Sequence, residues 1–267
     1  MNPLRYIVLM IGSMLVFYGC TVKQNWPSGH WIDLTHDFSA ETVYWPTAES
    51  FKLDTVFAGV TDKGYYYSAY RFYAAEHGGT HIDAPVHFAK GRMSVEEIPL
   101  QQLIGPAIVI DVSAKALADR DYEVSVEDLT FWEAEFGSIP DTAIVFLRTG
   151  SAKFWPDRQT YMGTDERGNA AVAKLHFPGL HPEAARWLVK YRAVSAVGLD
   201  TPSIDYGQSQ LFESHRILFD KNIPVFENVA NLDRLPEKGA FVIALPMKIK
   251  GGSGGPLRII AFLPEKR

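Results

Sequence analysis

The chain has 267 residues, 47% hydrophobic and 21% charged, a composition that excludes a disordered or fibrous protein and fits one large folded domain. Its net charge is −5 and its Lys and Arg residues are scattered, so it lacks the electrostatic footprint of a nucleic-acid partner. Cys20 is the only cysteine, which excludes an intramolecular disulfide and a thiolate cluster; any metal must rest on His and carboxylate ligands.

Residues 1–20 open with Met1 and Arg5, run through an apolar stretch from Tyr6 to Tyr18 and reach Gly19-Cys20, the pattern of an export signal. The apolar run is shorter than the ~20 residues a membrane-spanning helix needs. Cys20 directly after Gly19 resembles the lipidation site of a bacterial lipoprotein signal, although Phe17 stands where that signal usually has Leu. The expectation is an exported protein, periplasmic or anchored to the membrane through its N-terminus; an uncleaved anchor or a plain signal with a free cysteine are the alternatives. One domain then spans residues 21–267, its fold starting near Trp26.

Further along, Tyr44-Trp45-Pro46 and Tyr65-Tyr66-Tyr67 offer aromatic walls for a flat ligand, or ordinary packing and subunit contacts. The segment from Glu76 to Phe88 places three of the eight histidines and an aspartate within eleven residues: His77, His81, Asp83 and His87. Gly78-Gly79 and Pro85 argue against a helix, so a loop entering an extended strand is predicted. There His81 and Asp83 share a face, and the glycine pair lets the chain bend so that His77 joins them. Two imidazoles and a carboxylate suit Zn²⁺ or Mn²⁺ and leave a coordination position open for water. His87, beyond the Pro85 bend, is placed to act as general base or acid.

Downstream, six β-branched runs read as mostly buried strands: residues 107–112, 143–148, 194–199, 223–226, 240–245 and 257–262. Pro182 to Tyr191 carries the clearest helical stripe, and Ser125 to Phe136 and Ser209 to Phe219 are further candidates. The mixture implies an α/β or α+β domain with more sheet than helix. Glu227 ends a short apolar strand, His215 reads as a helix-surface histidine, and Gly251–Arg258 reads as a flexible loop.

The pattern His-x-Gly-Thr-His-x-Asp-x-Pro-x-His is complete from His77 to His87 and resembles the metal-dependent cyclase family, which includes bacterial kynurenine formamidase and isatin hydrolase. The resemblance extends from Ile32–His36 through Asp200–Asp205 to Ala244–Lys248. It implies metal binding by His77, His81 and Asp83 and proton transfer at His87. It also implies a second metal position at His215 and Glu227, which stand twelve residues apart as in the dinuclear formamidases. It further implies a mixed β-sheet barrel-like core flanked by helices, the family's swivelling β/β/α fold, assembled as a homo-oligomer, dimer or tetramer.

The Gly251–Arg258 stretch is similar to isatin-hydrolase-like members, which favours a cyclic-amide substrate and makes Ser253, with Trp45, a candidate substrate contact. The expected activity is hydrolysis of a C–N amide bond of an aryl substrate with one or two Mn²⁺ or Zn²⁺ ions. The competing reading is an exported lipoprotein that holds a metal or an aromatic ligand without turnover; His87, unnecessary for metal capture, favours the enzyme.

Overall fold

The computed structural model describes residues 28–265; residues 1–20, read above as an export signal, with the lipidation candidate Cys20, lie outside them. The strands in chain order are β1 (Gly29–Asp33), β2 (Lys52–Val60), β3 (Tyr66–Tyr73), β4 (His81–Asp83), β5 (Ile104–Asp111) and β6 (Glu123–Val124). They continue as β7 (Ile144–Arg148), β8 (Gly179–Leu180), β9 (Ala196–Leu199), β10 (Val225–Glu227), β11 (Lys238–Pro246) and β12 (Gly254–Pro264). Seven of them close a ring in the order β12-β11-β5-β7-β9-β10-β4, with β4 returning to β12 and β1 pairing alongside β12. The predicted mixed barrel flanked by helices is the observed architecture.

Strands β5, β7, β9 and β10 run parallel. The helices Val126–Phe136, Pro182–Tyr191 and Glu213–Phe219 lie in the three successive crossovers between them. Parallel strands covered on both faces should read as unbroken apolar runs, because every residue is buried whichever way it points. In β7, Ile144 and Phe146 enter the barrel core while Val145 and Leu147 pack under the helices, with the two-residue period of a strand. Gly198 makes room for this filling, since a Cβ there would come within 2.7 Å of Phe146 Cε1.

Each of the six predicted strands overlaps an observed one, and the helix predicted over Pro182–Tyr191 has those bounds. The Gly251–Arg258 stretch departs from its flexible-loop reading: β12 begins at Gly254, and Gly254-Gly255-Pro256 pairs with β4 to close the barrel. The hairpin β2–β3 carries no prediction because its aromatic and aliphatic side chains face outward. Leu53, Val56, Val60, Tyr66, Tyr70 and Phe72 are all at least half exposed.

Candidate active site

The parallel strands deliver the site, in the place where such sheets put their ligands, outside the carboxyl ends of β9 and β10. Glu227 is the last residue of β10, and β4, antiparallel beside it, sets His81 opposite Glu227 and Asp83 opposite Val225. The Gly78-Gly79 bend, with Gly79 at φ 60°, turns the chain so that His77 Nδ1 lies 2.7 Å from Asp83 Oδ1. A single turn over Pro85–His87 then stacks the His87 ring on His77, with centroids 3.8 Å apart. The helix Glu213–Phe219 supplies His215, whose Nε2 is 3.1 Å from Asp83 Oδ2 and 3.2 Å from Glu227 Oε1. His215 is thus buried at the floor of the site, not on a helix surface, because its face of the helix packs against Phe88 and the barrel end.

All six residues line one cavity of about 320 Å³, whose walls include Tyr44, Trp45, Phe88 and Phe212. The Cyclase family model matches residues 32–206. The chain belongs to the cyclase family. An isatin hydrolase of Roseibium aggregatum is 35% identical over 198 residues, 71% of this chain and 73% of that protein. A kynurenine formamidase of Bacillus cytotoxicus is 27% identical over 233 residues, 87% of this chain and 97% of its own length. The structure of isatin hydrolase A from Labrenzia aggregata bound to benzyl benzoate superposes with a TM-score of 0.79 at 32% identity, covering 88% of this chain and 94% of that one.

The donor set of this cyclase-family site fits a divalent cation. His81 Nδ1 donates to Gly79 O at 2.9 Å, so in the neutral ring the buried Nε2 is the nitrogen that presents a lone pair. That nitrogen has no hydrogen-bond partner, although Asp83 Oδ1 lies 3.1 Å and Glu227 Oε2 3.5 Å away. A lone pair facing two carboxylates calls for a positive charge between them. His77 repeats the arrangement: Ser253 Oγ donates to Glu76 Oε2 at 2.6 Å and so accepts from His77 Nε2 at 2.9 Å, leaving Nδ1 towards Asp83.

Ionisation behaviour agrees. Burial pushes the His215 imidazole down, but Asp205, Asp83 and Glu227 outweigh it and hold it well above its ordinary value. Burial and the neighbouring Asp83 together push the Glu227 carboxyl up. The cluster therefore seeks positive charge, and a divalent ion supplies more of it than a proton. His87 stands apart: burial lowers its imidazole to about 4, against the pull of Asp83.

Trp45 lines the cavity beside Tyr44. Ser253 does not line it; its hydroxyl sits behind His77 as the link to Glu76. The sequence reading missed Phe88, Phe212 and Asn228, which do line it. Asn228 follows Glu227 with φ 53°, and its side-chain amide donates to Gly79 O at 2.7 Å, pinning the glycine bend. Asparagine is among the few residues that take this left-handed conformation readily, a signal that an Asn directly after a strand carboxylate offers.

Proposed function

We propose that this chain is a metal-dependent amidohydrolase that cleaves the C–N bond of an aryl amide, either a cyclic amide such as isatin or an arylformamide such as N-formylkynurenine. The observation that carries the reading is the convergence of four imidazoles and two carboxylates at the floor of an aromatic-walled cavity. Its support beyond geometry is the similarity to an isatin hydrolase and to kynurenine formamidases.

By similarity to the family, His77, His81 and Asp83 would hold one ion, Mn²⁺ or Zn²⁺, and His215 and Glu227 would complete a second position. The donor atoms lie in two groups that share Asp83, one with His77 and His87 and one with His81 and Glu227, the latter with His215 Nε2 beside it. Such an ion, when bound, polarises the scissile carbonyl and lowers the pKa of water towards neutrality. The chain's own part is to position and to move protons. Trp45, Phe88 and Phe212 take the flat aryl group, and their apolar walls keep bulk water from the reacting carbonyl. His87, neutral near physiological pH, accepts the proton of the attacking water as the C–O bond forms. The imidazolium then returns that proton to the amide nitrogen as the C–N bond breaks. A cyclic substrate opens; a formamide releases formate.

The same proposal includes a single hydrolase domain over residues 21–267, export through residues 1–20 with lipidation at Cys20, and a homo-oligomer assembled through the exposed hairpin β2–β3. Mass spectrometry of the mature N-terminal peptide tests the lipid. The activity is tested by assaying purified residues 21–267 with isatin and N-formylkynurenine, with added Mn²⁺ or Zn²⁺ and with chelator. Chelator-sensitive turnover of either substrate is the expected result and selects ring opening or deformylation. Stoichiometric metal uptake without turnover of either overturns it and leaves a binding protein.

A further inference from the structure

The loop 200–205, between β9 and the helix Glu213–Phe219, is buried at every position, although it carries two aspartates, a threonine and a serine. Its first residue is tied down by β7's exit: Asp200 accepts from Thr149 N–H and Thr149 Oγ1, both at 2.8 Å, and from Gly150 N–H at 2.9 Å. Its far end reaches into the site. Ile204 N–H donates to Glu227 Oε1 at 2.8 Å. Asp205 Oδ2 lies 2.6 Å from His215 Nδ1, the shortest contact that imidazole makes.

Asp205 also replaces a missing helix cap. The residue preceding the helix Glu213–Phe219 is Phe212, at φ 49° and with no side chain able to accept a hydrogen bond. Asp205 accepts instead, from Ser214 N–H at 3.0 Å through Oδ1 and from His215 N–H at 3.2 Å through Oδ2. One carboxylate therefore sets where the helix starts and how the His215 ring is turned. A carboxylate only accepts, so Nδ1 carries a proton towards Asp205, and Nε2, aimed at Asp83 and Glu227, is the nitrogen that gives up its proton when an ion takes that place.

We propose that Asp205 is a positioning residue for the metal centre: it acts through His215, fixing the tautomer and ring orientation that let Nε2 serve as a ligand. The inference rests on the reading of His215 as a ligand given above. A carboxylate behind a ligating histidine raises its basicity as well as orienting it, and loss of such a partner costs about 10–100-fold in metal affinity.

The test is Co²⁺ titration of the metal-free enzyme, followed by its visible absorption, for wild type, Asp205→Asn, His215→Ala and the double variant. The one side-chain carbonyl that Asp205→Asn leaves can still accept from Ser214 N–H, so the variant keeps that part of the cap while its NH2 group replaces the charged oxygen that faces His215. Asp205→Asn is expected to weaken the ion that His215 holds by about 10–100-fold and to add nothing in the His215→Ala background. A Co²⁺ affinity unchanged in Asp205→Asn, or lowered equally in both backgrounds, overturns the proposal and leaves a helix cap only. No Co²⁺ uptake by wild type overturns this inference together with the metal reading of the site. A second measurement needs no Asp205 variant: ¹⁵N-histidine spectra of the Zn²⁺-loaded wild type, with His215 assigned from His215→Ala. A proton on Nδ1 is expected, and a proton on Nε2 rules the role out.

Discussion

At the scale of the residue, two positions separate chemistry from architecture. His87 is stacked on His77 yet makes no hydrogen bond to the carboxylates, so His87→Ala should leave metal stoichiometry nearly unchanged while lowering kcat by about 10²–10⁴-fold. Metal analysis beside steady-state kinetics checks it; preserved turnover removes His87 from the mechanism. Gly254 matters for space: a Cβ there would meet Ile82 O at 2.5 Å and His77 Cε1 at 2.6 Å. Gly254→Ala should therefore displace His77, costing about 1–3 kcal/mol of stability together with metal affinity, read by urea unfolding and metal titration. The identities of His77, His81, Asp83 and His87 were legible from spacing alone, whereas Ser253's place behind His77 depends on a contact 176 residues along the chain.

At the scale of the element, the crossover helix Val126–Phe136 shows how a buried acid ties local and tertiary structure. Ser125 and Asp128 form a capping box, and Asp128 also takes Lys115 Nζ at 2.6 Å and the Tyr122 hydroxyl at 2.7 Å. Burial pushes the Asp128 carboxyl up, but Lys115, the Ser125 amide and Tyr122 together hold it below its ordinary 3.8. A lowered folded-state value means stabilisation that is complete above the unfolded value and lost as pH falls through the folded one. Asp128→Asn should thus cost about 1 kcal/mol at neutral pH, with the gap to wild type narrowing at acid pH below 3.8. Urea unfolding at both pH values decides; a gap independent of pH points to packing instead. The helix itself was predicted from Ser125 onwards, because a cap followed by an apolar stripe is a local signal. The hairpin β2–β3 was not, since a strand that faces solvent on both sides shows no burial period.

At the scale of the whole molecule, the candidate metal donors come from separate parts of the barrel: the glycine bend and β4, the helix Glu213–Phe219 and β10. A bound ion therefore cross-links segments 132 residues apart, those of Asp83 and His215. Saturating Mn²⁺ or Zn²⁺ should raise stability by about 2.7 kcal/mol at a hundredfold excess over Kd, read as a chelator-reversible rise in Tm. The hairpin makes a second prediction at this scale. A two-stranded ribbon is marginal on its own, and this one exposes Leu53, Val56, Val60, Tyr66, Tyr70 and Phe72. Val56→Lys with Tyr70→Lys should convert the proposed oligomer to monomer by light scattering; an unchanged mass removes the hairpin from the interface.

By itself the sequence marked the histidine and aspartate cluster as candidate ligands and read the buried strands and the crossover helices, because these follow from residue type and spacing within about a dozen positions. Only the tertiary structure decided that His215 faces inward, that Gly254–Pro256 closes the barrel against β4, and that Asp205 turns the imidazole. A surface and a buried histidine look alike in a short helix. What separates them is the barrel end that the helix covers, and chain closure assembles that end from remote segments.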